Sequence, residues 1–118
     1  MSEWQGRTAL ITGGGRGFGK AFGMALAQQG AHAVLVDVDG EAAIAAAAEI
    51  QSIGGSAQGL KGDVTDEPGM AEVAAQAANH HGGIDLLVNN AGLHSDEYGQ
   101  PITNLGLAKM RRLFDVNV

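Results

Sequence analysis

The chain has 118 residues, of which 45% are hydrophobic, and carries a net charge of −6 with an isoelectric point near 4.9. This size and hydrophobicity favour a single globular domain over residues 1–118, whereas the acidic balance argues against binding to nucleic-acid phosphates. The absence of cysteine excludes disulfides, thiolate metal sites and a thiol nucleophile within these residues. We find no signal peptide and no apolar stretch of the roughly 20 residues that span a membrane, and therefore expect a cytoplasmic protein without membrane partners.

Short apolar runs alternate with longer alanine-rich segments along the whole chain. The predicted strands are 7–12, 32–38, 57–64 and 84–90. The predicted helices are 17–30, 39–55, 66–83 and 106–118. In the first helix, Phe18, Phe22, Ala25 and Leu26 are spaced to form one packing face. Strands that are almost wholly apolar are buried on both faces, so the pattern predicts an α/β fold with a doubly wound parallel sheet and helices on both faces.

The first predicted strand runs directly into the sequence TGGGRGFG, residues 12–19, where the first predicted helix begins. Glycines at such a junction allow a tight turn and a close approach to a pyrophosphate, which then meets free N–H groups and the dipole at the helix N-terminus. Thr12 is placed to brace this turn through its hydroxyl, and Arg16 to reach a phosphate or solvent. Since glycine accounts for 19 of the 118 residues, a purely structural turn is the alternative.

Asp37 lies near the end of the second predicted strand, about 20 residues after the glycine loop. A carboxylate there accepts hydrogen bonds from the hydroxyls of an adenosine ribose and repels a 2′-phosphate, which favours NAD over NADP. Arg16 favours NADP mildly, because a cation in the loop can meet that phosphate, but the like-charge clash at Asp37 has the larger weight. The alternative for Asp37 is an ordinary turn aspartate before Asp39 and Gly40.

Four stretches together resemble the short-chain dehydrogenase/reductase family over essentially the whole chain. They are TGGGRGFG (12–19), GDVTD (62–66), LLVNNAG (86–92) and DVNV (115–118). The resemblance implies a Rossmann-type sheet with strand order 3-2-1-4-5-6-7. It also implies an NAD(P)-dependent oxidoreductase that interconverts small-molecule alcohols and carbonyls by hydride transfer, assembled as a homodimer or homotetramer.

The resemblance also implies roles for individual residues. Those expected to bind the cofactor are Thr12, Gly13, Arg16, Gly17, Phe18, Gly19, Asp37, Asp63, Val64, Asn90, Ala91 and Gly92. In the family, the glycine loop binds the pyrophosphate, the pair matching Asp63 and Val64 flanks the adenine, and the NNAG turn supports the sheet near the nicotinamide ribose. Asn117 matches the asparagine of the catalytic tetrad, which helps to hold a water and a lysine in a proton relay.

The other catalytic residues of the family have no counterpart among these residues. Hydride transfer in the family relies on a serine and on a Tyr-x-x-x-Lys motif, in which tyrosine is the general acid/base. The single tyrosine, Tyr98, has Ile102 in place of that lysine, and both Tyr98 and Ser95 precede Asn117 instead of following it. We therefore expect these residues to form the cofactor-binding portion of a domain whose catalytic half is absent. We expect this portion to be inactive on its own, and its fourth strand to be an exposed edge of the sheet. The alternative is a non-catalytic dinucleotide-binding module or an inactive fragment.

The histidines give little functional information. His80 and His81 are adjacent, so they do not share a helix face, and no metal site is predicted. His94 and Ser95 follow the NNAG turn, where a role in substrate specificity competes with ordinary loop polarity. The sequence leaves the substrate open among sugars, steroids, acyl compounds and aliphatic alcohols.

Overall fold

The computed structural model describes residues 3–79 and 83–90, together with the backbone of residues 115–117. The strands are β1 (Thr8–Thr12), β2 (His32–Asp37), β3 (Ser56–Lys61), β4 (Leu86–Asn89) and β5 (Asp115–Asn117). The helices are α1 (Gly17–Gln28), α2 (Gly40–Ser52) and α3 (Glu67–Ala78). Within this described part, no helix combines the length and apolar character needed to cross a membrane. The alternation of strand and helix confirms the predicted α/β architecture.

All strands belong to one parallel sheet with the order β3-β2-β1-β4-β5. The chain moves outward from β1 to β3 on one side and then returns to place β4 and β5 on the other side of β1. Thr12 pairs with Val36 of β2 and with Asn89 of β4, so the carboxyl ends of the central strands lie level. In open α/β sheets of this kind, ligands bind outside the carboxyl ends of the strands where the strand order reverses. Here that position lies between β1 and β4.

The core lies on both faces of the sheet. Ile11 and Leu35 face the cluster covered by α1 and α2, whereas their neighbours Leu10 and Val34 face the cluster covered by α3. All four of these side chains are fully buried. Because successive strand residues point to opposite faces, burial on both sides requires the nearly continuous apolar runs seen in the sequence.

The packing face of α1 differs from the predicted one. Phe18 is 63% exposed and Ala25 is also exposed, so the prediction is wrong for both, although Leu26 is buried. The buried residues of the helix are Gly19, Gly23, Leu26 and Ala27. A Cβ atom on Gly23 would lie 2.6 Å from Leu35 Cδ2. The helix therefore comes very close to the sheet at Gly23, an approach that a search for apolar spacing cannot detect.

The end of the chain also differs from the prediction. A helix was expected through residue 118, but Asp115–Asn117 form β5, which pairs with β4 in parallel. The fourth strand is therefore not an edge, since its backbone groups on that side are paired with β5. A strand of three residues is too short to show the alternation typical of strands. The helix predicted from residue 106 was therefore extended through residues that form a strand. The remainder of the predicted helix, residues 106–114, lies outside the described residues.

Candidate cofactor-binding site

Predicted site residues from all five strands lie in a row along the carboxyl edge of the sheet. In spatial order, Asp63 follows β3, Asp37 ends β2, Thr12 ends β1, Asn90 follows β4 and Asn117 ends β5. Neighbouring strands are about 4.8 Å apart, so the row extends over roughly 19 Å. Such a row suits an elongated ligand that crosses the edge of the sheet.

The glycine loop between β1 and α1 has a backbone that only glycine adopts readily. Gly13 and Gly17 have φ values of 65° and 57°, in the left-handed region. A Cβ atom on Gly19 would collide with the carbonyl oxygen of Gly13. The first turn of α1 therefore packs directly against the loop. The loop conformation favours glycine at positions 13 and 17, and the close packing requires glycine at position 19.

The N-terminus of α1 has no side-chain cap. Arg16 occupies its N-cap position but makes no side-chain capping hydrogen bond, and the first turn contains no acidic residue. The other two described helices are capped differently, because Asp39 accepts from Ala42 N and Asp66 accepts from Gly69 N. Uncapped N–H groups at a helix N-terminus, together with the helix dipole, form a binding position for an anion such as a phosphate.

Two side chains connect the glycine loop to β4. The Thr12 hydroxyl donates to Val88 O at 3.4 Å and accepts from Asn90 N at 3.0 Å, so Thr12 joins the ends of β1 and β4. The Asn90 side chain donates from Nδ2 to Gly13 O at 3.1 Å. Asn90 is only 3% exposed, and its Oδ1 is buried without a hydrogen-bond partner among the described residues. The Asn90 amide therefore stabilises the glycine loop through Gly13, a role that sequence reasoning missed.

The Asp37 carboxylate is fixed beside the glycine loop. Its Oδ2 accepts from Gly15 N and its Oδ1 accepts from Asp39 N, both at 3.0 Å. A Cβ atom on Gly15 would lie 2.8 Å from Asp37 Oδ2, so this approach also depends on glycine. The structure thus brings Asp37 and the loop together as the sequence predicted, and adds Gly15, which the sequence had not singled out.

The Arg16 side chain pairs with Asp39, the N-cap residue of α2. Its Nη2 lies 2.7 Å from Asp39 Oδ2, in an ion pair whose side chains are 70% and 47% exposed. The prediction left phosphate and solvent open for this side chain, and the structure gives it a carboxylate partner at the protein surface. The pair joins residues 23 positions apart, so local sequence patterns do not reveal it.

Asp63 and Val64 follow β3, and Asp63 lines a cleft of ≈ 390 Å³. Asp63 Oδ1 accepts from Thr65 N at 2.9 Å and from the Thr65 hydroxyl at 2.7 Å. The Thr65 backbone N–H, and secondly its hydroxyl, hold the pKa of the exposed Asp63 carboxyl below its usual range. Both bonds use the same oxygen, while Val64 packs against the core cluster under α3. Asp63 therefore presents an ionised carboxylate at the cleft.

For the remaining predicted residues the structure gives only part of the surroundings, or none. Phe18 is exposed in the first turn of α1, directly after the glycine loop. Asn117 is described through its backbone, which pairs with Asn89 at the end of β4. The predictions that lie outside the described residues concern Ala91, Gly92, His80, His81, His94, Ser95 and Tyr98.

The chain is similar to several known dehydrogenases. It is 42% identical over 113 residues to a sorbitol dehydrogenase from Cereibacter sphaeroides, covering 96% of this chain and 42% of that protein. It is 36% identical over 113 residues to a 7alpha-hydroxysteroid dehydrogenase from Escherichia coli K12, covering 96% and 43% of the two chains. The chain thus spans about two fifths of the length of these relatives.

Structure and family comparison agree with these similarities. A crystal structure of a hydroxysteroid dehydrogenase from Escherichia coli matches with a TM-score of 0.72 and 39% identity, over 75% of this chain and 36% of that one. The sequence model of the family described as short chain dehydrogenase matches residues 7–118. This chain therefore belongs to the short-chain dehydrogenase family.

Proposed function

We propose that these residues hold NAD for an oxidoreductase that interconverts a small-molecule alcohol and its carbonyl by hydride transfer. Family membership supports the reaction class. The observation that carries the choice of NAD is the Asp37 carboxylate, held beside the glycine loop by Gly15 N and Asp39 N. When bound, the nicotinamide supplies the acceptor or donor of the hydride.

Residues along the carboxyl edge of the sheet support the proposed binding of a dinucleotide. The N-terminus of α1, which has no side-chain cap, and the glycine loop before it suit the pyrophosphate, because they offer backbone N–H groups and the helix dipole. Asp63 keeps Oδ2 clear of its two bonds to Thr65, which leaves that oxygen for the exocyclic amine of adenine. Val64 would flank the ring if it acts as the matching residue of the family does. The NNAG turn, with Asn90, Ala91 and Gly92, would lie beside the nicotinamide ribose.

Asp37 supports NAD over NADP by its charge and by its position. Each of its oxygens accepts one backbone hydrogen bond, and the remaining lone pairs can accept the two ribose hydroxyls. A 2′-phosphate carries a charge of roughly −1.5 to −2, so an adjacent carboxylate opposes it.

For catalysis we propose that Asn117 acts as the tetrad asparagine, from the end of β5 beside Asn89. The 118 residues contain no Tyr-x-x-x-Lys motif, so the general acid/base would come from outside them, and they would be inactive on their own. Following the family, we propose a cytoplasmic homodimer or homotetramer. The named substrates of the relatives, a sugar alcohol and a steroid, do not select one class for this chain.

A second candidate is a non-catalytic dinucleotide-binding module. It is favoured by the same missing tyrosine and lysine. Turnover with NAD and a panel of secondary alcohols, followed through NADH absorbance, separates the candidates. Turnover by the 118 residues alone would contradict the proposal that catalysis needs residues outside them.

The NAD assignment is tested by calorimetric titration with NAD and NADP. Asp37→Ala should weaken NAD binding by about tenfold or more, because one hydrogen bond to a charged group contributes about 1.5–3 kcal/mol. The same variant should discriminate less against NADP. Glu49→Ala is the control, since it removes an exposed carboxylate of α2 whose ion-pair partner is Lys20 and not Arg16. Tighter binding of NADP than NAD by the unmutated protein would contradict the assignment.

A further inference from the structure

We propose that Asp39 is a specificity-determining residue, which excludes NADP by keeping the Arg16 guanidinium in an ion pair. The proposal rests on the proposed binding of NAD at this edge of the sheet. Arg16 is the cation of the glycine loop, and it is the group there that would attract a 2′-phosphate. Asp39 removes that attraction without contacting the cofactor.

Three charged side chains meet beside the position proposed for the adenosine ribose. Gly15 N donates to Asp37 Oδ2, and Asp39 N donates to Asp37 Oδ1. Arg16, the next residue after Gly15, closes the ring through its 2.7 Å contact with Asp39 Oδ2. The guanidinium that could meet a 2′-phosphate is therefore held by Asp39, the same residue whose backbone N–H helps to fix Asp37.

The Asp39 side chain is oriented before Arg16 reaches it. Its Oδ1 accepts from Ala42 N at 3.1 Å as the N-cap of α2, which leaves Oδ2 directed at the guanidinium. Only the Arg16 side chain must then be ordered for the pair to form, which lowers its conformational cost. Arginine binds phosphate best through two parallel hydrogen bonds, and a carboxylate partner occupies part of that donor set.

The size of the effect follows from the exposure of the pair. Since both side chains are largely open to solvent, the pair should contribute about two- to fivefold to the ratio of the NADP and NAD dissociation constants. Asp37, which would contact the ribose directly, should contribute more. Asp39 thus adds a second, smaller layer of discrimination.

Asp39→Asn tests the proposal on the full chain by calorimetric titration with NAD and with NADP. Asparagine caps helices about as well as aspartate, so α2 keeps its N-cap while the charge is removed. We expect the dissociation constant for NADP to fall about two- to fivefold while that for NAD changes less than about twofold. The matched control is Glu49→Gln, which removes the same charge from the Lys20–Glu49 pair of 2.6 Å and should leave the ratio unchanged.

A double-mutant cycle with Arg16→Ala separates release of Arg16 from simple removal of a negative charge. With Arg16 absent, Asp39→Asn should no longer improve NADP binding. A gain that persists in the Arg16→Ala background would overturn the proposal, as would an unchanged ratio in Asp39→Asn while NAD still binds. Failure of the proposed function has a different signature, because the unmutated protein would then bind neither dinucleotide or would bind NADP more tightly than NAD.

Discussion

Replacing Thr12 by valine tests the connection between β1 and β4 at the site. Valine has nearly the shape of threonine but has no hydroxyl, so the substitution leaves no cavity. It removes the acceptor of Asn90 N, at 3.0 Å, and the donor to Val88 O, at 3.4 Å. Thr12 and Asn90 are both buried, so water cannot readily replace these bonds.

The expected cost is set mainly by the Asn90 N–H group. Leaving a buried donor unsatisfied costs about 1–3 kcal/mol, and the longer bond to Val88 O adds little. Thr12→Ser is the matched comparison, because it keeps the hydroxyl and deletes one buried methyl group, at about 1 kcal/mol. Thr12→Val should therefore destabilise the protein more than Thr12→Ser, although it keeps more apolar volume.

Urea unfolding of the three proteins gives the free energies of unfolding for this comparison. Calorimetric titration with NAD should show weaker binding by Thr12→Val, because Asn90 also supports the loop through Gly13 O. A loss below about 0.5 kcal/mol in Thr12→Val, or a larger loss in Thr12→Ser, would refute the assigned role of the hydroxyl.

Two further predictions concern the loop and the cleft. Gly19→Ala places a methyl group against the Gly13 carbonyl, so it should cost about 1–3 kcal/mol in urea unfolding and weaken NAD binding, and unaltered affinity would contradict the packing. Thr65→Val should raise the pKa of Asp63, measured by NMR titration, because one of its two hydrogen bonds is lost; an unchanged pKa would show that the hydroxyl has no influence. Since the folded-state pKa of Asp63 is lowered, its contribution to stability is present above the unfolded pKa and is lost as the pH falls through the folded value.

Local features of the sequence were sufficient to predict β1 to β4 and the three described helices. Continuous apolar runs identify strands buried on two faces, and Asp39 caps the helix it was expected to begin. Gly30, the last residue of the first predicted helix, lies just beyond the end of α1 and has a φ of 97°. These signals depend on short stretches of chain, and so they can be recognised without the rest of the molecule.

Contacts between distant residues could not be predicted in this way. The face of α1 depends on how closely Gly23 approaches Leu35, and β5 exists only through pairing with β4. The Arg16–Asp39 pair joins a loop to a helix cap through two exposed side chains. None of these contacts leaves a periodic pattern in the sequence.

The sequence by itself therefore determined the fold class, the glycine loop and the acidic residue after it. Each of these can be recognised from a short stretch of neighbouring residues. Only the tertiary structure decided how these parts meet. It brought the Asn90 amide within hydrogen-bond distance of Gly13 O and fixed Asp37 through a hydrogen bond from Gly15 N. It also bound Arg16 to Asp39. The physical reason is that hydrogen bonds and ion pairs depend on distances of a few ångströms in space, which the separation of residues along the chain does not reveal.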